Sequence, residues 1–134
     1  SLRRLEVICD TYLSVSTPVQ AAAPALIRAG ATIRAAIQAR VMRNLAALRE
    51  KLRARPAMTL VEPEAGWSAV WQVPAIESEE SLVLRLLTRS HVLVHPGYFF
   101  DFSREAFLVT SLLPVPQLFD DGIGRVLGAI GPAH

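Results

Sequence analysis

Residues 58–73 read MTLVEPEAGWSAVWQV. Met58 to Glu62 is a strand-length run, and Trp67 to Val73 is a second, in which Trp67, Ala69, Trp71 and Val73 alternate onto one face. Between them stands Pro63-Glu64-Ala65-Gly66, a cluster of turn formers, and Pro74 closes the pair. The stretch predicts a β-hairpin.

Helical patterns flank the hairpin on both sides. Upstream, Ala31 to about Arg55 carries Ile33, Ile37, Val41, Leu45, Leu48 and Leu52 at spacings of three and four, and Pro56 stops it. Before that, Thr17 reads as an N-cap, with Pro18 at the first helical position, Gln20 completing a capping box and Gly30 at the end. Pro24 is a weak kink point. Leu5, Ile8 and Tyr12 mark the end of an earlier helix. That helix starts abruptly at Ser1, without methionine, which points to a fragment or an excised domain.

Downstream, Ser78 caps a helix with Glu79 and Glu80 in its first turn, where acids suit the helix dipole. Leu82, Val83, Leu86 and Leu87 form its buried side, with Arg85 and Arg89 facing out. Val92 to Val94 reads as a short strand, Pro96-Gly97 as a turn and Tyr98 to Arg104 as an aromatic loop. Phe107 to Leu113 is a further strand. In a last helix, Phe119, Ile123, Val126, Leu127 and Ile130 share one face before Gly131-Pro132. Gly122, Gly124 and Gly128 weaken that helix but suit close packing. Interspersed helices and strands around a hairpin predict an α+β two-layer sandwich, with helices on one face of a small, mainly antiparallel sheet.

Composition narrows the function. The 134 residues suit one domain with a core, and 51% hydrophobic against 19% charged excludes a disordered chain. The mean hydropathy of +0.33 fits either a large aliphatic core or a surface that something else covers. The net charge is +2, and the one dense basic stretch, Arg43 to Arg55, lacks interleaved aromatics, which argues against nucleic acid. Cys9 is the only cysteine, so no intrachain disulfide forms, as suits a reducing compartment. No signal peptide and no membrane span is evident.

Few residues offer chemistry. His91 and His95 flank a strand and read as turn residues rather than a metal pair. His134 is terminal. Cys9 reads as a small buried hydrophobe. Ser14, Ser16, Ser68 and Ser111 have no base nearby. Glu62 and Glu64 straddle a turn as solvated carboxylates, and Asp120-Asp121 suits a helix start. No glycine-rich phosphate loop is present. The residues alone describe an α+β domain without a self-contained active site.

Three ordered stretches add a resemblance. They are Tyr12-Leu13-Ser14-Val15-Ser16-Thr17-Pro18-Val19-Gln20; then Pro63-Glu64-Ala65-Gly66-Trp67-Ser68-Ala69; then Val92-Leu93-Val94-His95-Pro96-Gly97-Tyr98-Phe99-Phe100, leading into Phe107-Leu108-Val109-Thr110-Ser111-Leu112. In order and spacing they resemble the C-terminal small domain of fold-type-I, class I/II aminotransferases, which depend on pyridoxal 5'-phosphate (PLP). The resemblance implies that residues 1–17 are the end of a connecting helix and its turn, and that 18–134 are the small domain. It implies a parent that is cytoplasmic, homodimeric and acts on amino-acid or keto-acid substrates. An N-terminal large domain would carry the Schiff-base lysine and most cofactor contacts. No PLP is expected on this stretch alone, and no membrane or nucleic-acid partner. Lys51, the only lysine, matches no Schiff-base position and reads as a solvated helix residue.

The resemblance also marks site residues. The arginine that grips a substrate carboxylate in that family falls at Val109 here, a departure that puts an ordinary α-amino acid substrate in doubt. Arg104, five residues earlier, either reaches the same anion or is a surface arginine. Tyr98, Phe99, Phe100 and Phe102 either wall the substrate pocket or serve as packing. Ser16 and Thr17 either cap a helix or also lie near the neighbouring subunit's cofactor phosphate. Two other functions suit the same residues: the ligand-sensing half of a transcriptional regulator, and a free-standing interaction domain.

Overall fold

A computed structural model describes residues 2–11, 15–104 and 106–131. The expectations for Tyr12, Ser14, Pro132, His134 and the Cys9 side chain fall outside the described part. Helices α1 (Leu2–Thr11), α2 (Thr17–Ala29) and α3 (Ala31–Arg53) come first, followed by strands β1 (Thr59–Val61) and β2 (Ser68–Gln72). Helix α4 (Glu79–Ser90), strand β3 (His95–Pro96), a 3-10 turn (Gly97–Phe100), strand β4 (Phe107–Ser111) and helix α5 (Pro116–Ile130) complete the chain.

The hairpin forms as expected, and it seeds the sheet. Leu60 pairs with Trp71, Trp71 with Leu108, and the four strands run in the order β1-β2-β4-β3, every neighbour antiparallel. Alternation then sends Ala69, Trp71, Leu108 and Leu112 to one face, where they meet Val41, Leu45, Leu48 and Leu52 of α3, Leu82 and Leu86 of α4, and Phe119, Ile123, Val126 and Leu127 of α5. The result is the two-layer α+β sandwich that the pattern predicts.

Contacts divide the chain into two units, 1–36 and 37–134. The core belongs wholly to the second. In the first, α2 has no buried residue, and Leu5, Ile8, Leu26, Ile27 and Ile33 are all exposed, Ile33 at 65%.

Several details depart from expectation. Helix α2 begins at Thr17, so Ser16 is the N-cap, without a side-chain cap bond; Gln20 donates instead to the Val15 carbonyl. Pro24 lies inside α2, which continues through it. Ile33 and Ile37 are exposed although they share the stripe of α3. Val92–Val94 is not a strand. His91 adopts a left-handed conformation to end α4, and the Val92 N–H caps Leu86, so pairing starts only at His95. Pro96, lacking an N–H, limits β3 to two residues. Trp67 lies in phase with the inner face, but beyond the helix layer it stays exposed. Leu87 is exposed too. Arg85, expected outside, is part-buried, pairs with Glu77 and donates to the Ala129 carbonyl at 2.9 Å. The glycines of α5 serve no close packing: a methyl group at Gly122, Gly124 or Gly128 would meet nothing within 4 Å.

Candidate functional site

The sheet face opposite the helices holds most of the marked residues. Residues facing one another across strands share a face, so Val61, Val70, Val109 and His95 form one row across all four strands. Phe107 lies two residues along β4 from Val109, hence on the same face. Val109 is only 6% exposed, His95 is exposed. The position at which the resemblance expects a cationic fork is therefore an apolar side chain between Val70 and His95.

An aromatic succession borders this row. Tyr98 stacks edge-on against Phe99 at 4.9 Å between ring centroids. His95 lies 6.1 Å from Phe99 and 6.3 Å from Phe100; Phe100 lies 6.3 Å from Phe102, and Phe102 meets Phe107 edge-on at 5.2 Å. Phe99 is 61% exposed, and Tyr98 and Phe100 are about half exposed, so the succession begins on the surface and ends in the buried Phe107. Arg104 closes it, its guanidinium carbon 5.4 Å from the centroid of the Phe107 ring, within cation–π range. Tyr98, Phe100, Arg104 and Val109 thus all belong to the β3–β4 region of unit 37–134. Ser16 and Thr17 belong to the other unit, at the start of α2.

The segment between β3 and β4 is held by a residue expected only to suit a helix dipole. Glu79 shares its helical phase with Leu82 and Leu86, which turns it inward, to 2% exposure. Its Oε2 accepts the Tyr98 N–H at 2.9 Å and its Oε1 accepts the Phe107 N–H at 2.7 Å. The second bond has a topological cause. The Ala106 carbonyl accepts from Val73, so Phe107 turns its N–H toward the other edge of β4, where β3 has already turned away at Gly97. The carboxylate stands in for the missing strand. It also sits at the N-terminus of α4, whose free N–H groups favour negative charge. Gly97 is tightly enclosed: a β-carbon there would lie 2.8 Å from Phe102 Cδ2, 2.8 Å from Phe107 Cβ and 3.0 Å from Glu79 Oε1.

Sequence reading missed Glu79 and, in the helix layer, Asn44. Asn44 is 1% exposed and donates to the carbonyls of Leu112 at 2.9 Å and Pro114 at 2.8 Å, fastening the end of β4 to α3. The signal was present in both cases: each is a polar residue in phase with a buried apolar stripe. Arg55 likewise donates to the Leu127 and Gly131 carbonyls and covers the end of α5.

Several other candidates are engaged in ion pairs. Glu62 forms an exposed ion pair with Arg49, whose hydrogen bond holds the Glu62 carboxyl below its ordinary range and raises Arg49. The hydrogen bond from Arg85 lowers Glu77 in the same way. Asp121 pairs with Arg125 one turn on, and Lys51 Nζ lies 3.9 Å from Asp120. Lys51 is therefore engaged on the helix layer. Among the described residues no three His, Cys, Asp or Glu side chains gather to hold a metal, and no helix is long and apolar enough to cross a membrane. A cavity of about 280 Å³ opens between residues 91–94, the end of β4 and α5, with Leu93, Thr110, Leu118 and Phe119 in its wall. Of the candidates, only His91, Ser111 and Asp121 reach it.

No family profile and no curated protein sequence matches the chain. Solved structures do. A PLP-dependent aminotransferase from Streptococcus suis is similar over 70% of this chain and 25% of its own, with a TM-score of 0.64 and 18% identity. The kynurenine aminotransferase of Pyrococcus horikoshii is similar over 74% of this chain and 24% of its own (TM-score 0.60, 21% identity). The alpha-aminoadipate aminotransferase of Thermus thermophilus is similar over 78% and 28% (TM-score 0.60, 23% identity). The chain spans about a quarter of the length of each, and at such identities the likeness is one of fold: this chain has the fold that a domain-sized part of these PLP-dependent aminotransferases also has.

Proposed function

We propose that this chain is the C-terminal small domain of a PLP-dependent aminotransferase, a wall that closes over the substrate and supports a dimer. The observation that carries the reading is the fold shared with a quarter-length portion of several aminotransferases. The aromatic face, with Tyr98, Phe100 and Arg104 around Val109, adds a surface fit to meet an organic anion. The domain alone is not catalytic. In the parent, a large domain N-terminal to this chain supplies the lysine that holds PLP, and the cofactor supplies the electron sink for transamination. This domain's own residues orient the substrate and exclude water. Arg104 offers a guanidinium fork to a carboxylate, while Val109 and the aromatic rings offer apolar contact. Ser16 and Thr17, at the start of α2, lie next to the partner subunit's cofactor phosphate. The parent is a cytoplasmic homodimer working on amino-acid or keto-acid substrates.

The test is a visible absorption spectrum of the full-length gene product, purified without added cofactor, before and after borohydride reduction. A yellow band that reduction removes, together with turnover of amino acids, is the expected result. A band without turnover would turn the reading to a ligand-sensing regulator. No band even after PLP is supplied would overturn it in favour of an interaction domain.

A further inference from the structure

We infer that Glu79 is the positioning residue of the aromatic face, and that through it the face sets the preference for large apolar side chains on the substrate; this deepens the functional reading above and rests on it. The argument begins with what the segment lacks. The chain leaves the sheet after Pro96 and rejoins it at Phe107, and of the rings between, Tyr98, Phe99 and Phe100 are exposed. Those exposed rings bury little apolar surface and so do little to fix the conformation of the segment by packing. Here its first and last N–H groups converge on one carboxylate, 2.9 and 2.7 Å away. One buried side chain thus clamps both ends.

The chemistry of the clamp is specific to a carboxylate. Each oxygen accepts from one end of the segment, and a carboxyl group offers an acceptor on both of its oxygens. A glutamine presents one acceptor and one NH2 donor, so one of the two N–H groups loses its partner. An aspartate is one methylene shorter and gives up the reach to both ends. Gly97 sits against Glu79, Phe102 and Phe107 with no room for a β-carbon, so the start of the segment packs directly on the clamp. What the clamp holds in place is a run of rings from Tyr98 to Phe107 beside the apolar Val109, with Arg104 at the end. That surface favours a ligand with a flat or bulky apolar body and one anionic end.

The test uses the full-length gene product carrying this chain. Backbone hydrogen exchange at Tyr98 and Phe107 reads the clamp, and the ratio of kcat/KM for phenylalanine to that for alanine reads the preference. For Glu79→Gln, exchange at one or both amides should quicken by about tenfold or more, the loss of one charge-assisted hydrogen bond. The phenylalanine-to-alanine ratio should fall by about tenfold, with the change in KM larger than in kcat. Phe100→Ala keeps the clamp and removes a ring: it should lower the same ratio and leave both amides protected, which separates the wall from general loss of structure. Unchanged protection in Glu79→Gln would overturn the positioning role. An equal fall for both donors would overturn the preference. A wild-type product with no PLP band would remove the functional reading and the preference together, while the exchange rates would still decide whether Glu79 holds the segment.

Discussion

The two units of this chain are both rich in aliphatic residues and make opposite use of them. Unit 37–134 places Leu48, Leu86, Leu108 and Val126 at 0% exposure in one contiguous core. Unit 1–36 has leucines, isoleucines and valines at helical spacing as well, yet α2 buries nothing. The lesson is that an amphipathic pattern identifies a helix but not its partner. In the second unit the partner is the sheet, where Asn44 of α3 meets the Leu112 carbonyl from 68 positions away; in the first, the apolar side chains of α1 and α2 are exposed. Every ion pair among the described residues also lies in the second unit.

The contrast can be broken most directly by equal truncations. Leu48→Ala removes a fully buried side chain and should cost about 2–5 kcal/mol, read as a shift of the urea midpoint at constant slope. Ile33→Ala, 65% exposed, should change stability by no more than about 0.5 kcal/mol. Equal costs would mean that the apolar faces of the first unit are packed in solution. A second cut falls on a polar residue. Asn44→Ala leaves the Leu112 and Pro114 carbonyls without their donor and should cost about 1–3 kcal/mol. A cost near zero would show that water replaces the amide and that β4 is held by its neighbours alone.

Asn44 and Glu79 also show where the sequence was readable. Alternation in 67–73 and the stripe from Val41 to Leu52 were legible because each depends on residues two to four apart, the range over which strand and helix geometry act. The antiparallel sheet and the aromatic loop followed only in outline, and the strand order not at all. Glu79 was read only as a first-turn acid that suits the helix dipole, because its partners lie 19 and 28 residues away and are backbone N–H groups, which no side-chain pattern announces. Val92–Val94 failed for the opposite reason. Its β-branched pattern was right, and a local helix cap at His91 overrode it. Val109 and Arg104 were found only through resemblance: no spacing distinguishes a valine that faces a site from one that faces a core.

A smaller effect separates the units by pH. The hydrogen bond from Arg85 lowers the Glu77 carboxyl below its unfolded value. Its stabilising contribution is then complete above the ordinary carboxylate range and disappears as pH falls through the folded value. The slope of stability between about pH 6 and about pH 3 should flatten in Glu77→Gln, by less than about 1 kcal/mol in total, since the pair is partly solvated. An unchanged slope would assign the acid sensitivity to other carboxylates.

The last prediction has the opposite sign. Helix α5 packs Phe119, Ile123, Val126 and Leu127 inward, while Gly124 and Gly128 are exposed, with open space where a side chain would stand. A glycine inside a helix costs about 0.5–1 kcal/mol relative to alanine, through the freedom it has in the unfolded chain. Gly124→Ala should therefore raise stability by about that amount, seen as a higher urea midpoint. The same substitution sharpens the contrast between the units, because it asks whether the outer face of α5 is as free in solution as the faces of α1 and α2. If Gly124→Ala destabilises instead, a surface in close contact with α5 is using the missing methyl group, and the second unit too would have a face that another body covers.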